Sequence, residues 1–190
     1  MTDTRKKLSE AKYFLNRTTD AEAKSQPRAV GYNLSAFLCA FRSILDVIQK
    51  ESKSDQSKQK RSDFDEWWET QEVRICQDAK VVLLCNVRDE NIHERPTQLV
   101  HTVEVTLPED TPPLWGELLK LPPPRYFVCF DITQDVKDRI EEWKYCKKQP
   151  KNALIEDVDA LRESPAITIC QDGLSTLERI VLECEQRFPM

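Results

Sequence analysis

The chain has 190 residues, a net charge of −5, three glycines, eleven prolines and seven cysteines. An acidic balance argues against a general nucleic-acid coat protein, which is normally basic, and leaves open an enzyme that meets RNA at one small cleft. No apolar stretch approaches the roughly 20 residues that span a bilayer, and the opening TDTRKKLSE lacks the apolar core of a secretory signal, so a soluble, cytoplasmic chain with no membrane partner is expected.

Few glycines beside many Leu, Glu, Lys and Ala predict a mainly helical chain, long enough for one domain with a substantial core. The cysteines are odd in number, widely spread and without a C-x-x-C pair. Cys39, Cys85, Cys170 and Cys184 fall within apolar helical patterns, where the thiol acts as a small hydrophobe. Reduced, structural thiols are therefore expected. Zinc ligands at short regular spacing are absent from the sequence, and neither a metal nor a cofactor is expected.

Leu8, Ala11, Phe14 and Leu15 predict an amphipathic helix over 4–17, followed by a polar stretch, TTDAEAKSQ. Pro27 suits a first helical turn, where its missing N–H is not needed. Val30, Leu34, Phe37, Leu38, Phe41, Ile44, Leu45 and Ile48 then recur at steps of three and four, with Ala36, Cys39, Ala40 and Val47 widening the stripe. This predicts a central helix over about 28–51.

Residues 52–61, SKSDQSKQKR, hold no apolar residue and read as a polar, basic loop. Ser62 and Asp65 form a weak capping box for a third helix. That helix carries Phe64, Trp67, Trp68, Val73, Ile75 and the run Val81–Cys85. It should end near Glu94, because Pro96 disfavours helix at the residue before it.

Beyond Pro96 the period changes. TQLVHTVEVTL alternates, with Leu99, His101, Val103, Val105 and Leu107 on one side, a strand pattern. Prolines crowd 108–124, and RYFVCFDI at 125–132 is a second strand, expected to pair with the first. Val136, Ile140 and Trp143 suit a short helix. Ser164 and Pro165 read as a cap and first helical residue before a final helix with Ala166, Ile169, Cys170, Gly173, Leu174, Leu177, Ile180, Val181, Cys184 and Phe188 in its stripe. The expected architecture is a four-helix up-down bundle, core about 4–95 and 164–188, with a mixed β-hairpin and loop insertion over about 96–163 between the third and fourth helices.

FLCAFRSILDVIQKE at 37–51, FDEWW at 64–68 and NVRDENIHE at 86–94 together resemble the HEPN superfamily, small helical-bundle proteins of toxin–antitoxin, phage-defence and RNA-processing systems. Arg88, Asp89 and His93 match that family's R-x(4–6)-H pattern, and their position near the end of the third helix adds weight to a short motif. The resemblance covers the bundle and says little about 96–163. It implies metal-independent RNA cleavage by a homodimer whose two motifs face one cleft, with RNA as substrate and a nucleotidyltransferase-type antitoxin as partner.

The chemistry can be argued separately. Cleavage beside a ribose 2′-OH needs proton transfer, which a histidine performs near neutral pH. It also needs a cation for the developing phosphorane charge, which a guanidinium fork supplies. Five residues of α-helix turn about 500°, so Arg88 and His93 would point some 140° apart on one regular helix. Either the helix ends or distorts between them, or a second chain completes the site.

The alternatives to catalysis remain open. Arg88 pairs with nearby acids at a helix end, and His93 caps the last carbonyls. Asp89 either orients the pair or is a solvated acid. Asn91, Glu94, Lys58, Lys60 and Arg61 are secondary candidates for RNA contact, the last three within a segment of net charge +3 across 50–62. Arg42 and Asp46 have the spacing of an intrahelical salt bridge. Of Trp67 and Trp68, one is expected to point partly outward, where it could stack a base. His101 is expected to pack. The function expected first is an endoribonuclease of a toxin–antitoxin or defence system. The alternative is a catalytically inactive HEPN bundle that binds RNA, a nucleotide or a protein.

Overall fold

The computed structural model describes residues 2–54, 58–93, 99–104, 125–142 and 151–189. The described chain is mainly helical. In order it forms α1 (Thr2–Ala23), α2 (Pro27–Ser54), α3 (Lys58–Gln77), α4 (Ala79–His93), β1 (Leu99–Glu104), β2 (Arg125–Phe130), α5 (Gln134–Glu142), α6 (Lys151–Asp159) and α7 (Ala166–Arg187).

α1 buries Thr4, Leu8, Ala11, Leu15, Thr18 and Ala21 against the bundle. It runs through the polar TTDAEA expected to lie outside it, because the Thr18 and Thr19 hydroxyls donate back to the carbonyls of Phe14 and Leu15 and Thr18 and Ala21 sit on the buried stripe. Its first amides are satisfied from a distance: the Glu51 carboxylate, near the end of α2, accepts from the amides of Asp3 at 2.9 Å and Thr4 at 3.0 Å and from the Thr4 hydroxyl at 2.7 Å. At the other end the amide of Gln26 donates to the carbonyl of Ala21 and that of Ser25 to Glu22, with Ser25 left-handed at φ 50°. This is a Schellman turn, and it folds α2 back along α1. Pro27 opens α2 as expected.

The segment read as a basic loop, 52–61, is helical at both ends: α2 continues to Ser54 and α3 starts at Lys58. Ser62 therefore lies inside α3 and does not cap it. The expected single third helix is two helices, broken at Asp78. One Asp78 carboxylate oxygen accepts from the amides of Lys80 and Val81, and the other accepts the Thr176 hydroxyl of α7 at 2.7 Å. A side-chain cap of this kind starts a new helix because it serves the amides that have no carbonyl partner. Every residue from Val81 to Val87 is buried. Such a helix is enclosed by its neighbours, and α4 packs against α2, α3, α5, α6 and α7.

α7 runs against three of the other long helices. Arg5 and Lys12 of α1 pair with Glu185 and Glu178. Arg74 at the end of α3 pairs with Glu183 at 2.8 Å, and Lys80 of α4 with Asp172 at 2.6 Å. Gly173 is a point of close approach: a Cβ there would stand 2.6 Å from Leu84 Cδ1 and 3.5 Å from Phe41 Cζ. α7 begins with Pro165 itself in the cap position and no side-chain cap bond, so Ser164 does not play the part expected of it. Trp67 and Trp68 are both buried. Phe64 and Phe188 close around Trp67, and the Trp68 indole N–H donates to Glu72 at 2.8 Å, so neither tryptophan faces outward.

β1 and β2 pair antiparallel, Leu99 opposite Phe130 through Glu104 opposite Arg125. The second strand is shorter than the alternation suggested, with 131–132 past the end of β2. The rest of the first alternating run and the prolines of 108–124 lie outside the described residues. The hairpin is tied to the bundle where the Glu22 carboxylate accepts the amide of Val128 at 3.1 Å. α5 matches the expected short helix, with Val136 and Ile140 buried; Trp143 lies outside the described residues. α6 was not expected. It buries Leu154 and Val158 and is held to α5 by Lys137 and Asp159 at 2.6 Å. Bundle and insertion share one apolar core, in which Val128, Phe130, Ile132, Val136, Ile140, Leu154 and Val158 join the helices.

Cys85, Cys129, Cys170 and Cys184 are buried free thiols and Cys39 a half-buried one. Cys76 is disulfide-bonded, which corrects the expectation of reduced thiols throughout. No helix among the described residues is long and apolar enough to cross a membrane.

Candidate functional site

The apolar run of α4 ends at Val87, and Arg88, the residue after the buried stretch Val81–Val87, is half-buried. Asn86, two positions earlier, is still inside the core, where its side-chain amide donates to the carbonyl of Val82 at 2.8 Å. Arg88 thus stands at the end of the buried run, its side chain half-buried and its Nε enclosed.

α4 is helical without interruption to His93. The possibility that the helix ends or distorts between the two motif residues is therefore removed. On a regular helix, positions 88 and 93 are displaced by about 7.5 Å along the axis and about 140° around it. One chain does not bring them to one face. Asp89 and Asn91 occupy helical positions between them. The side chains of Asp89, Asn91 and His93, and those of Lys58 and Lys60 in the first turn of α3, lie outside the described residues, as does Glu94 altogether. Arg61 is exposed on α3. The basic stretch is therefore partly a helix start. His101 is the register partner of Val128, which is buried; its side chain too lies outside the described residues.

Arg42 is buried at 7 % exposure and donates to Asp46 one turn on at 3.2 Å, the intrahelical pair expected from the spacing. No group of three His, Cys, Asp or Glu residues converges as metal ligands among the described residues.

No family profile, characterised protein or solved structure matches the chain.

Sequence reasoning did not anticipate a cleft of about 540 Å³ at the other end of α4, lined by Arg74, Asp78, Lys80, Thr176, Arg179 and Glu183 among others. It forms because the helix breaks at Asp78. The Asp before the run AKVVLLC was the available signal, since Asp is a preferred N-cap residue. Its charges largely answer one another: Arg74 meets Glu183, Lys80 meets Asp172, and Arg179 donates to the Thr176 hydroxyl at 3.2 Å. The Asp78 carboxylate already occupies the helix N-terminus that an anion would seek. The cleft is a polar seam between helices rather than a site for proton transfer. A second hollow, of about 530 Å³, lies beside the hairpin between Val100, Thr102, Phe127 and Cys129 and the Arg162 and Glu163 side chains.

Proposed function

We propose that the chain is a single HEPN-like domain, a four-helix up-down bundle with an α/β insertion, that cleaves RNA without a metal at a cleft shared by two copies. Arg88 binds the scissile phosphate and His93 transfers protons, with Asp89 orienting the pair. The observation that carries this reading is the uninterrupted course of α4 from the core through Arg88 to His93. It sets the two residues on different sides of one rod, an arrangement of use to a twofold cleft, where the arginine of one chain can meet the histidine of the other. The antiparallel course of α7 against α1, α3 and α4, and of α2 against α1, supports the bundle.

Chemically, the guanidinium fork neutralises charge on two phosphate oxygens at once, while an imidazole accepts the 2′-OH proton and returns one to the leaving 5′-oxygen. Nothing in that scheme draws on a cofactor. In a toxin–antitoxin setting a nucleotidyltransferase-type antitoxin would be the natural partner.

The test is cleavage of total RNA by purified protein in the presence of EDTA, with Arg88→Ala and His93→Ala alongside. Cleavage by wild type and loss in both folded variants supports the reading. RNA binding without cleavage by the wild type would replace it with the inactive-bundle alternative.

A further inference from the structure

The hairpin is apolar on both faces. Val128 and Phe130 of β2 belong to the common core. The alternate residues stand in register as Val100 opposite Cys129 and Thr102 opposite Phe127, and they share the other face. A hairpin that buries one face on a core commonly turns polar side chains to the other. Here the outward set is Val, Cys, Thr and Phe, and Val100 is 50 % exposed. These four residues line the hollow of about 530 Å³, a size that suits a small molecule. Burial pushes the Cys129 thiol up, with the charges of Glu22 and Glu163 adding to this against the Thr102 hydroxyl, so this wall carries no charge at neutral pH.

The remaining lining is charged. Asp131, just past the end of β2, is half-buried, and Glu163, shortly before α7, is exposed. Neither carboxylate makes a hydrogen bond or ion pair among the described residues. The one cation of the hollow, Arg162, is engaged elsewhere: its guanidinium donates to the carbonyl of Ile132 at 3.0 Å and to Asp159 at 3.3 Å. The cleft at the start of α4 differs in this respect. There Arg74 answers Glu183, and Asp78 is bonded through both carboxylate oxygens. An apolar wall beside two carboxylates that lack a cation selects a ligand with an apolar body and a positive end.

We propose that the hollow binds an organic ammonium ion, its aromatic or branched aliphatic body against Val100, Phe127 and Cys129 and its protonated amine toward Asp131 and Glu163. This site is independent of the RNA-cleaving reading.

The experiment is isothermal titration calorimetry of the full chain with three compounds that share one indole body: tryptamine, a cation; tryptophol, neutral; and indole-3-acetate, an anion. Tryptamine should bind about three- to tenfold more tightly than tryptophol, the gain expected from two carboxylates at a partly solvated site. Indole-3-acetate should bind more weakly than either. Glu163→Gln combined with Asp131→Asn should remove the preference for tryptamine and leave tryptophol binding unchanged. Val100→Lys, which sets an ammonium on the apolar wall, should abolish tryptamine binding. Circular dichroism checks that the variants fold. Equal binding of tryptamine and tryptophol, or a preference that survives the double substitution, would overturn the charge selection. Tryptamine binding that survives Val100→Lys would place the site elsewhere and overturn the proposal, as would no binding of tryptamine by wild type at millimolar concentration.

Discussion

Asp78 and Thr176 are joined by a 2.7 Å hydrogen bond that ties the break between α3 and α4 to the middle of α7. The same carboxylate caps α4 through the amides of Lys80 and Val81. One side chain thus starts the helix whose residues Val81–Val87 are all buried and ties that start to α7.

Asp78→Ala should lower stability by about 1–2 kcal/mol, the upper part of the range for a lost N-cap, because a second bond is lost with it. Asp78→Asn, which keeps an acceptor, should cost less. Urea denaturation followed by circular dichroism measures both, and equal stability of Asp78→Ala and wild type would contradict the capping role.

Gly173 leaves room for Leu84 and Phe41. Gly173→Val should destabilise by about 1–3 kcal/mol through overpacking, despite the helix penalty that glycine itself carries. Removing the obstructing methyls should offset part of that, so Gly173→Val combined with Leu84→Ala should fall short of the sum of the two single costs. Additive costs in thermal unfolding would show that α4 and α7 do not touch there.

Burial pushes the Glu51 carboxyl up, but the Thr4 hydroxyl and the amides of Asp3 and Thr4 outweigh it and hold the group below its ordinary value. A carboxylate depressed in the folded state adds stability above its unfolded pKa, and that stability is lost as pH falls through the folded value. The difference in stability between wild type and Glu51→Gln should therefore be present at neutral pH, about 1 kcal/mol as for an N-cap. It should shrink as the solution is acidified through the carboxylate range. A difference that stays constant from pH 7 to pH 3 would count against this cap.

For the motif, His93→Ala should lower RNA cleavage by ~10²–10⁴-fold, and Arg88→Lys should retain little activity, since an ammonium does not reproduce the fork. Subunit mixing tests the shared cleft directly. In an equimolar mixture of Arg88→Ala and His93→Ala proteins, half the dimers are mixed and each has one of two sites intact. About a quarter of wild-type activity should return if each site takes its arginine and histidine from different chains. No recovery would place both residues of a site in one chain.

The long helices were legible because each buries one stripe against a bundle, and such a stripe repeats in sequence with the helical period. Phe37, Phe41 and Ile44 of α2 and Ile169, Cys170 and Leu177 of α7 are buried as that period predicts. The hairpin was legible from a change of period, and the candidate motif from an arginine that ends an apolar run. The helical course of 58–61 was not legible, because four polar residues in a row show no period. Nor was the break inside the third helix. Val81 to Val87 are apolar or buried on every side, so periodicity has no phase to interrupt, and only Asp78 marked the place. What tertiary structure alone decided is how the pieces meet: a glutamate 47 residues away capping α1, an aspartate bonded across 98 residues to α7, and an unbroken α4 that sets Arg88 and His93 on different sides of one helix. Sequence determines which faces are apolar through local spacing. Which face meets which, and which polar group is answered across the gap, depends on contacts between segments far apart in the chain.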